Sequence, residues 1–426
     1  MTAVTAADAR IASLDTVRGV AVMGILAMNI VAFAMPFQAY MNPPSIGLEG
    51  DADFWSWAAS FVFIDGRMRG LFSFLFGAST LLVIERAEAA GLSAAAAHYR
   101  RMLWLLVFGL LHFYFVWFGD ILTGYALVGL ILFLFRNLSV RALVALGVAL
   151  VTVQTLLFLL LGGSIFMLSQ AVAAPSPDPD LIRQWQTIER DFGAAPAALA
   201  QNLALHQGSW SGLVANRIGE RWFEPFTGVL MFGWETLGYM LFGMAALKSG
   251  FFKGEWSRRG YAWTALGGLA IGVPAYALLA WAAVRDGFSI PGIFLIEMAA
   301  TTPFRPVMVV AYAALIILLT RGGGAVVERI AAAGRAAFTN YLGTSLIMTT
   351  LFYGYGFGLY GSMSRAELWI PVLAMWALML AWSKPWLARF RYGPFEWLWR
   401  SLARGRIEPM RKAPAPEPLA GNASAG

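Results

Sequence analysis

Long apolar stretches alternate with short polar ones along most of the chain. Ten apolar stretches are interpreted as membrane-crossing helices, since about 20 mostly apolar residues span a bilayer core of roughly 30 Å. They lie near Val17–Met35, Met68–Ile84, Met102–Phe118, Ile121–Phe135, Ala142–Ser169, Trp222–Leu247, Tyr261–Val284, Ile293–Thr320, Ala336–Tyr355 and Leu368–Trp386. The pattern predicts an all-α, polytopic membrane bundle of about ten transmembrane helices.

The first apolar stretch begins with two charged residues and carries one polar residue deep inside. Asp15 and Arg18 stand at its start, and Asn29 follows Arg18 by eleven positions. At a helical rise of 1.5 Å per residue, Asn29 lies roughly 16 Å inside the membrane. A carboxamide at that depth needs a partner, so Asn29 is a candidate for a functional position.

The composition supports a membrane protein and argues against other classes. Of the 426 residues, 59% are hydrophobic and 13% are charged, whereas a soluble domain carries about 25% charged residues. The net charge of +7 does not indicate nucleic-acid binding, because the basic residues are spread over the loops. The chain has no cysteine and three histidines, which excludes thiolate metal sites and disfavours a multi-histidine metal centre.

The basic residues also predict the orientation in the membrane. Most of the 31 Lys and Arg residues fall in every second loop, beginning with the segment before the first stretch. Because cytoplasmic loops are enriched in Lys and Arg, both termini are predicted to be cytoplasmic. We expect residues 1–412 to form one transmembrane domain with a long outer loop at 170–221. Residues 413–426, rich in Ala, Pro and Gly, are expected to form a disordered tail.

Ionisable side chains within membrane spans are costly and are candidates for function. The predicted depths sort these side chains into two levels. The level at the outer half and midplane consists of Arg67, Arg69, His112, Asp120, Glu224, Glu235 and Arg305. The level near the cytoplasmic surface consists of Arg18 and Arg335, with Asp15 able to pair with either arginine. An interior that joins the two levels suits a reaction that takes one substrate from each side.

His112 is the one histidine within a predicted span. A neutral imidazole accepts a proton, and a carboxylate at its other nitrogen would orient the ring. Asp120 or Glu235 is the predicted source of that carboxylate. The alternative is that His112 only forms hydrogen bonds between helices, as many intramembrane polar residues do.

Several motifs occur in a fixed order along the chain. They are Leu14-Asp15-x-x-Arg18-Gly19, Gly109-Leu-Leu-His112, Trp117-x-Gly119-Asp120, Gly334-Arg335, Thr339-Asn340-Tyr341 and Tyr392-Gly393-Pro394-x-Glu396-Trp397. Together they resemble the YeiB-like family of bacterial membrane proteins, a domain of unknown function, over nearly the whole chain.

That family is similar to the transmembrane acyltransferases, which include the lysosomal heparan-glucosaminide acetyltransferase and bacterial enzymes that acylate envelope sugars. The resemblance implies transfer from cytoplasmic acyl-CoA, such as acetyl-CoA, to an acceptor on the far side of the bacterial inner membrane. In the large acyltransferase branch a histidine occupies the position of Asn29, and in the heparan-modifying branch the catalytic histidine occupies that of Tyr40. His112 would therefore be a relocated base.

The preferred hypothesis is an acyltransferase with three groups of site residues. The catalytic group is His112, Asp120 and Glu235. The acyl-CoA group is Arg18, Asn29, Arg335 and Asn340. The acceptor group, for a small molecule or saccharide with a hydroxyl or amine, is Arg67, Arg69, Glu224 and Arg305. Acyl-CoA is expected as a co-substrate without any covalently bound cofactor, and membrane lipid as a partner; a homo-oligomer is left open.

Two other hypotheses remain open at this point. In the first, the protein transports or exports a small anionic metabolite, and the arginines and buried carboxylates form a proton-coupled binding site. In the second, it is a non-catalytic membrane partner, and the polar groups only hold the helices together.

Overall fold

The computed structural model describes residues 11–48 and 50–412 of the chain. Within these ranges the chain forms helices and no β-strand, and the sheet-like pairing is limited to an isolated bridge between Phe390 and Arg411. The all-α prediction is confirmed. The predicted tail at 413–426 lies outside the described residues.

The helices are numbered α1 to α18 in chain order. The first seven are α1 (Ala12–Ala34), α2 (Phe37–Met41), α3 (Asp51–Phe63), α4 (Arg67–Ala89), α5 (Ala94–Phe115), α6 (Leu122–Leu132) and α7 (Val140–Val172). The next six are α8 (Pro179–Phe192), α9 (Pro196–His206), α10 (Trp210–Gly219), α11 (Glu224–Lys248), α12 (Arg258–Arg285) and α13 (Ile290–Gly292). The last five are α14 (Arg305–Thr320), α15 (Ala325–Arg335), α16 (Ala337–Phe352), α17 (Trp369–Arg389) and α18 (Pro394–Arg404). Short 3-10 turns cover Pro43–Ser45 and Phe133–Phe135, and a π-helix covers Ile293–Ala300.

Six helical segments in the described part of the chain are long and apolar enough to cross a membrane. They are Ala12–Ala34, Asp51–Ala89, Val140–Val172, Glu224–Lys248, Arg258–Arg285 and Trp369–Arg389. A seventh results if the bent pair Ile290–Ala300 and Arg305–Thr320 counts as one span. The other three predicted spans are helical as α5, α6 and α16, but α6 and α16 are short and α5 carries several polar residues.

Helix α1 lies in the interior of the bundle. Almost all of its side chains from Leu14 onward are buried, and it packs against α4, α14, α15, α16 and α17. Gly19 of α1 and Gly334 of α15 allow the closest approach, because a Cβ on either glycine would overlap the backbone of the other helix. Small residues permit such contacts between membrane helices. The glycines of two sequence motifs therefore hold Arg18 and Arg335 at the same end of the bundle.

The eighth predicted stretch is broken rather than continuous. Its first half forms the π-helix, and a turn at residues 301–304 bends the chain by 51° before α14 begins. Pro306 stands in the first turn of α14, where its missing N–H costs no helical hydrogen bond. The bend directs Glu297 and Arg305 into the same interior space.

Candidate functional site

Two polar cavities lie in the bundle on either side of Tyr125. The Arg69 cavity has a volume of about 400 Å³ and lies among α1, α4, α11 and the π-helix. The Arg18 cavity has a volume of about 280 Å³ and lies among α1, α4, α5, α16 and α18. Among the described residues, Tyr125 is the one that lines both cavities. The two polar levels predicted from the sequence thus correspond to two spaces with one shared wall.

Tyr125 is held in this wall by hydrogen bonds to α4. Its hydroxyl donates to the carbonyl oxygen of Arg69 at 3.1 Å and lies 2.7 Å from the hydroxyl of Ser73. The ring stacks against Phe72. In the sequence Tyr125 is one residue of the apolar helix α6, so only the fold shows that it separates the two cavities.

Arg69 and Arg305 line the Arg69 cavity and form an ion cluster with Glu235, which lies behind them with a fully buried side chain. Arg305 Nη1 donates to the two carboxylate oxygens at 3.2 and 2.9 Å, and Arg69 donates to Oε1. Arg305 Nη2 also donates to Thr301 Oγ1 at 2.7 Å. A carboxylate buried in a membrane bundle is stable only with such partners. The acceptor-group arginines Arg69 and Arg305 are therefore tied to Glu235 rather than to open space.

Arg67 and Glu224 also line the Arg69 cavity, each with a protein partner. The Arg67 guanidinium lies 3.8 Å over the ring of Tyr276 and donates to the carbonyl of Phe61. Glu224 accepts a hydrogen bond of 2.5 Å from Arg221, at the end of the segment predicted as the outer loop. That segment is helical, as α8, α9 and α10.

His112 and Asp120 form a direct pair. His112 Nδ1 lies 2.9 Å from Asp120 Oδ1, and Asp120 Oδ2 accepts from the backbone N–H of Thr123 at 2.8 Å, at the start of α6. Both side chains are about 1% exposed. Of the two carboxylates considered for His112, the structure selects Asp120. The alternative pairing with Glu235 is wrong, because Glu235 is occupied by Arg69 and Arg305.

The second ring nitrogen of His112, Nε2, is buried and has no hydrogen-bond partner in the described structure. The imidazole packs against Tyr341, with ring centroids 5.3 Å apart, and against Trp117 at 6.4 Å. Tyr341 lines the Arg18 cavity, whereas Trp117 and Asp120 line the Arg69 cavity. The pair thus lies at the partition, with His112 behind the wall rather than in it.

Asn29 lines the Arg69 cavity, together with Asp120 and Trp117, and does not line the Arg18 cavity. It was grouped with Arg18 because both lie on α1. The depth of Asn29, however, puts it beyond the partition. Of the acyl-CoA group predicted from the sequence, Arg18 and Arg335 therefore line one cavity and Asn29 the other.

The Arg18 cavity is rich in arginine. Arg18 donates to Asp15 at 3.0 Å and to Ser79 Oγ at 2.8 Å. The arginines in its lining are Arg18, Arg86, Arg101, Arg335, Arg391 and Arg400. The lining carboxylates are Asp15 and Glu396. Arg101 and Arg391 escaped prediction because single basic residues in cytoplasmic loops usually only set topology.

Asn340 lines neither cavity. Its amide nitrogen donates to the carbonyl of Ala333 at 3.0 Å and to Ser383 Oγ at 3.3 Å, and its amide oxygen accepts from Trp382 at 2.9 Å. These bonds join α15, α16 and α17. In the described structure the amide of Asn340 is thus engaged between helices.

A helical bundle with six or seven membrane-crossing segments and two interior polar cavities is a polytopic membrane protein with a buried site. Residues 246–406 match the family described as "Protein of unknown function (DUF418)". The chain is 36% identical over 408 residues to the uncharacterised protein YeiB of Escherichia coli strain K12, covering 92% of this chain and 95% of YeiB. The chain belongs to this YeiB-like DUF418 family.

Two further relatives are also uncharacterised. The protein YxaH of Bacillus subtilis strain 168 is 31% identical over 423 residues, covering 96% of this chain and 98% of YxaH. A 39.9 kDa protein encoded in the amylase 3' region of Bacillus acidopullulyticus is 26% identical over 408 residues, covering 95% of this chain and 97% of that protein. No solved structure matches the chain.

Proposed function

We propose that the protein is an acyltransferase of the bacterial inner membrane. It would take an acyl group from cytoplasmic acyl-CoA and transfer it to a hydroxyl or amine of a small-molecule or saccharide acceptor on the outer side. The observation that carries the proposal is the buried His112–Asp120 pair at the partition between two cavities, with His112 Nε2 lacking a partner.

The proposal includes a topology of ten spans with both termini in the cytoplasm. In it α5, α6 and α16 cross the membrane together with the longer helices, shielded by them. The abundance of Lys and Arg in alternate loops then directs the Arg18 cavity to the cytoplasm and the Arg69 cavity to the outer side.

In this arrangement the Arg18 cavity receives the acyl-CoA. Its arginines would bind the phosphates, since guanidinium groups pair strongly with phosphate oxygens. The pantetheine arm would extend past Tyr341 toward the partition. The acyl carbonyl would arrive near Asn29, whose amide, or a nearby arginine, would stabilise the developing oxyanion.

His112 would act as the general base. Its Nε2 takes the proton of the acceptor hydroxyl or amine as that oxygen or nitrogen bonds to the acyl carbon. The carbon–sulfur bond of the thioester then breaks, and the leaving thiolate takes the proton from His112. Asp120 holds the ring in the required tautomer. Because Trp117 stands between His112 and the Arg69 cavity, a movement of Trp117 would admit the acceptor.

The test uses purified protein in proteoliposomes with radiolabelled acetyl-CoA, following release of CoA and transfer of label. His112→Ala and Asp120→Asn should reduce the rate by about 10²–10⁴-fold, the usual contribution of a positioned general base. Glu328→Gln, which alters an exposed carboxylate paired with Lys384, is the control and should leave the rate unchanged. Unchanged rates in both site variants, with folding intact, would contradict the proposal.

Transport of a small anion is the second candidate, favoured by the presence of cavities on two sides of one partition. In this case Tyr125 would separate two states of access to a single site. Flux of a labelled anion into proteoliposomes without any release of CoA from acetyl-CoA would favour transport over acyl transfer.

A further inference from the structure

The Arg69 cavity has equal numbers of arginines and carboxylates in its wall. The arginines are Arg67, Arg69, Arg221 and Arg305, and the carboxylates are Asp65, Asp120, Glu224 and Glu297. Glu235 adds a further negative charge directly behind Arg69 and Arg305. The cavity is therefore not the strongly basic space that a purely anionic ligand would require.

Each arginine in this wall already contacts an acceptor in the protein. Glu235 accepts from Arg69 and Arg305, the carbonyl of Phe61 accepts from Arg67, and Glu224 accepts from Arg221. An incoming anion would have to compete with these buried contacts. Arg67 Nε and Arg305 Nε are buried without a hydrogen-bond partner in the described structure, whereas each of the four guanidinium groups has a terminal nitrogen that donates to the protein. Among the described residues, the acceptor atoms of the wall that are buried without a donor are Glu297 Oε1 and Glu224 Oε2.

Of these two carboxylates, Glu224 accepts from Arg221 through its other oxygen, whereas Glu297 has no ion pair among the described residues. Its Oε1 atom is buried and has no hydrogen-bond partner in the described structure, although the side chain lines the cavity. By contrast, Asp120 has a partner at each oxygen, and Asp65 accepts from the Tyr40 hydroxyl at 2.8 Å. A buried carboxylate oxygen without a donor is costly, so its position needs an explanation.

The backbone around Glu297 supplies a second observation. Glu297 lies in the π-helix Ile293–Ala300, directly before the 51° bend. Helical segments with π geometry are rare and occur frequently at functional sites. The altered helical period and the bend present Glu297 to the cavity.

From the unpartnered carboxylate and the paired arginines, we infer that the Arg69 cavity recognises its ligand through a protonated amine, which donates to Glu297. The inference rests on the proposed function only in identifying this ligand with the acyl acceptor. The inference concerns how the ligand is recognised. Which atom of the ligand is acylated depends instead on which atom approaches His112. It also disfavours a ligand that carries negative charge alone.

The experiment compares two molecules of nearly the same shape, ethanolamine and ethylene glycol, which differ by an ammonium group in place of a hydroxyl. Binding of labelled ethanolamine to the purified full chain is measured in detergent by scintillation proximity, with unlabelled ethylene glycol as competitor. Wild-type protein should prefer ethanolamine by about tenfold or more, as expected for a charge-assisted hydrogen bond. Absence of this preference would overturn the inference.

Glu297→Gln should abolish the preference, because it keeps the shape of the side chain and removes its charge. Glu297→Asp keeps the charge on a shorter side chain and should retain part of the preference for ethanolamine. This variant also provides a test if the glutamine variant does not fold. Glu328→Gln is the matched control and should bind as wild type does. A Glu297→Gln protein that folds and still prefers ethanolamine would also overturn the inference.

The source of the amine can be a soluble molecule or a lipid headgroup. Repeating the measurement in nanodiscs of phosphatidylethanolamine and of phosphatidylglycerol distinguishes the two sources. If the ligand is a headgroup, phosphatidylethanolamine should displace labelled ethanolamine and phosphatidylglycerol should not. If the ligand is a soluble amine, neither lipid should displace labelled ethanolamine. No acyl donor is present, so a failure of acyl transfer leaves this result intact. Conversely, if the protein transfers acyl groups but shows no preference for ethanolamine over ethylene glycol, the inference is wrong and the proposed function still stands.

Discussion

The Arg69 and Arg18 cavities lie on opposite sides of Tyr125 and differ in how their charges are compensated. In the Arg69 cavity the arginines and carboxylates are equal in number, and the arginines contact acceptors within the protein. In the Arg18 cavity six arginines share the lining with two carboxylates. The first wall carries its own counter-charges, whereas the second has an excess of positive charge that suits a polyanionic ligand.

The difference follows from the environment of each cavity. Glu235 is fully buried, and a charge there is tolerated only as part of a matched, hydrogen-bonded group. Several side chains of the Arg18 cavity reach the surface, Arg391 among them, and water lowers the cost of an uncompensated charge. A buried recognition site therefore has balanced charges, and a site at the surface can retain an excess.

The substitution Glu235→Gln tests this comparison and has the largest expected effect. It should lower the free energy of unfolding by about 3–5 kcal/mol, because it leaves Arg69 and Arg305 buried without a counter-charge. Thermal unfolding in detergent measures the change. Glu328→Gln, which alters an exposed carboxylate, should change the stability far less. If both variants lost the same free energy of unfolding, the ion pairs of Glu235 with Arg69 and Arg305 would not be needed for the stability of the protein.

The second test adds a ligand to the Arg18 cavity. Arg391→Gln should weaken the binding of coenzyme A by about tenfold, since one charge-assisted contact with phosphate is lost. Arg389, at the end of α17, lines neither cavity, so Arg389→Gln is the matched control. Isothermal titration at two salt concentrations should also show weaker binding at the higher one. If Arg391→Gln and Arg389→Gln weakened coenzyme A binding equally, the positive charge of the Arg18 cavity would not be what binds the ligand.

The smallest expected effect concerns Glu396, which lines the Arg18 cavity from α18. Its Oε1 accepts from the backbone N–H groups of Phe338 and Thr339 at 2.6 and 3.1 Å. Burial raises the pKa of the Glu396 carboxyl above its ordinary value of 4.5, although hydrogen bonds from Thr339 and Phe338 act in the opposite direction. The unfolded chain therefore releases this proton at lower pH than the folded protein does.

Since the folded state retains the proton longer, stability should decrease as the pH rises from about 4.5 through the raised pKa of Glu396. Glu396→Gln should remove this part of the pH dependence. Unfolding measured from pH 4 to pH 8 tests the expectation, with wild-type protein as the reference. Removing a negative charge should in addition tighten coenzyme A binding near pH 8. Identical pH profiles would show that Glu396 does not titrate with folding.

Much of the architecture was predictable from local sequence. Apolar length indicated the helices, and depth along a helix, which follows from residue number alone, sorted the polar residues into two levels. The interior expected to join these levels is instead divided by Tyr125 into two cavities. The sequence offered Asp120 and Glu235 as partners of His112, and the nearer of the two, eight residues along the chain, is the one that makes the contact. The contact of His112 with Asp120 depends on the local geometry of α5 and its turn.

The contacts that the sequence did not predict join residues far apart in the chain. Glu235 lies between Arg69 and Arg305, Asn340 bonds to Trp382 and Ser383, and Asn29 lies on the other side of the partition from Arg18. Each contact depends on which helix faces which, and residue spacing carries little information about that choice. Glu297 was visible as a charge in a predicted span, but only the bend before α14 gives it a place in the wall.

The sequence by itself determined the class of the protein, an all-helical membrane bundle, because apolar length and local charge require no knowledge of distant contacts. The tertiary structure decided which charges neutralise one another and which face a cavity. Those outcomes depend on helix packing, where glycines such as Gly19 and Gly334 allow backbones to touch and so fix the side chains that meet beyond them.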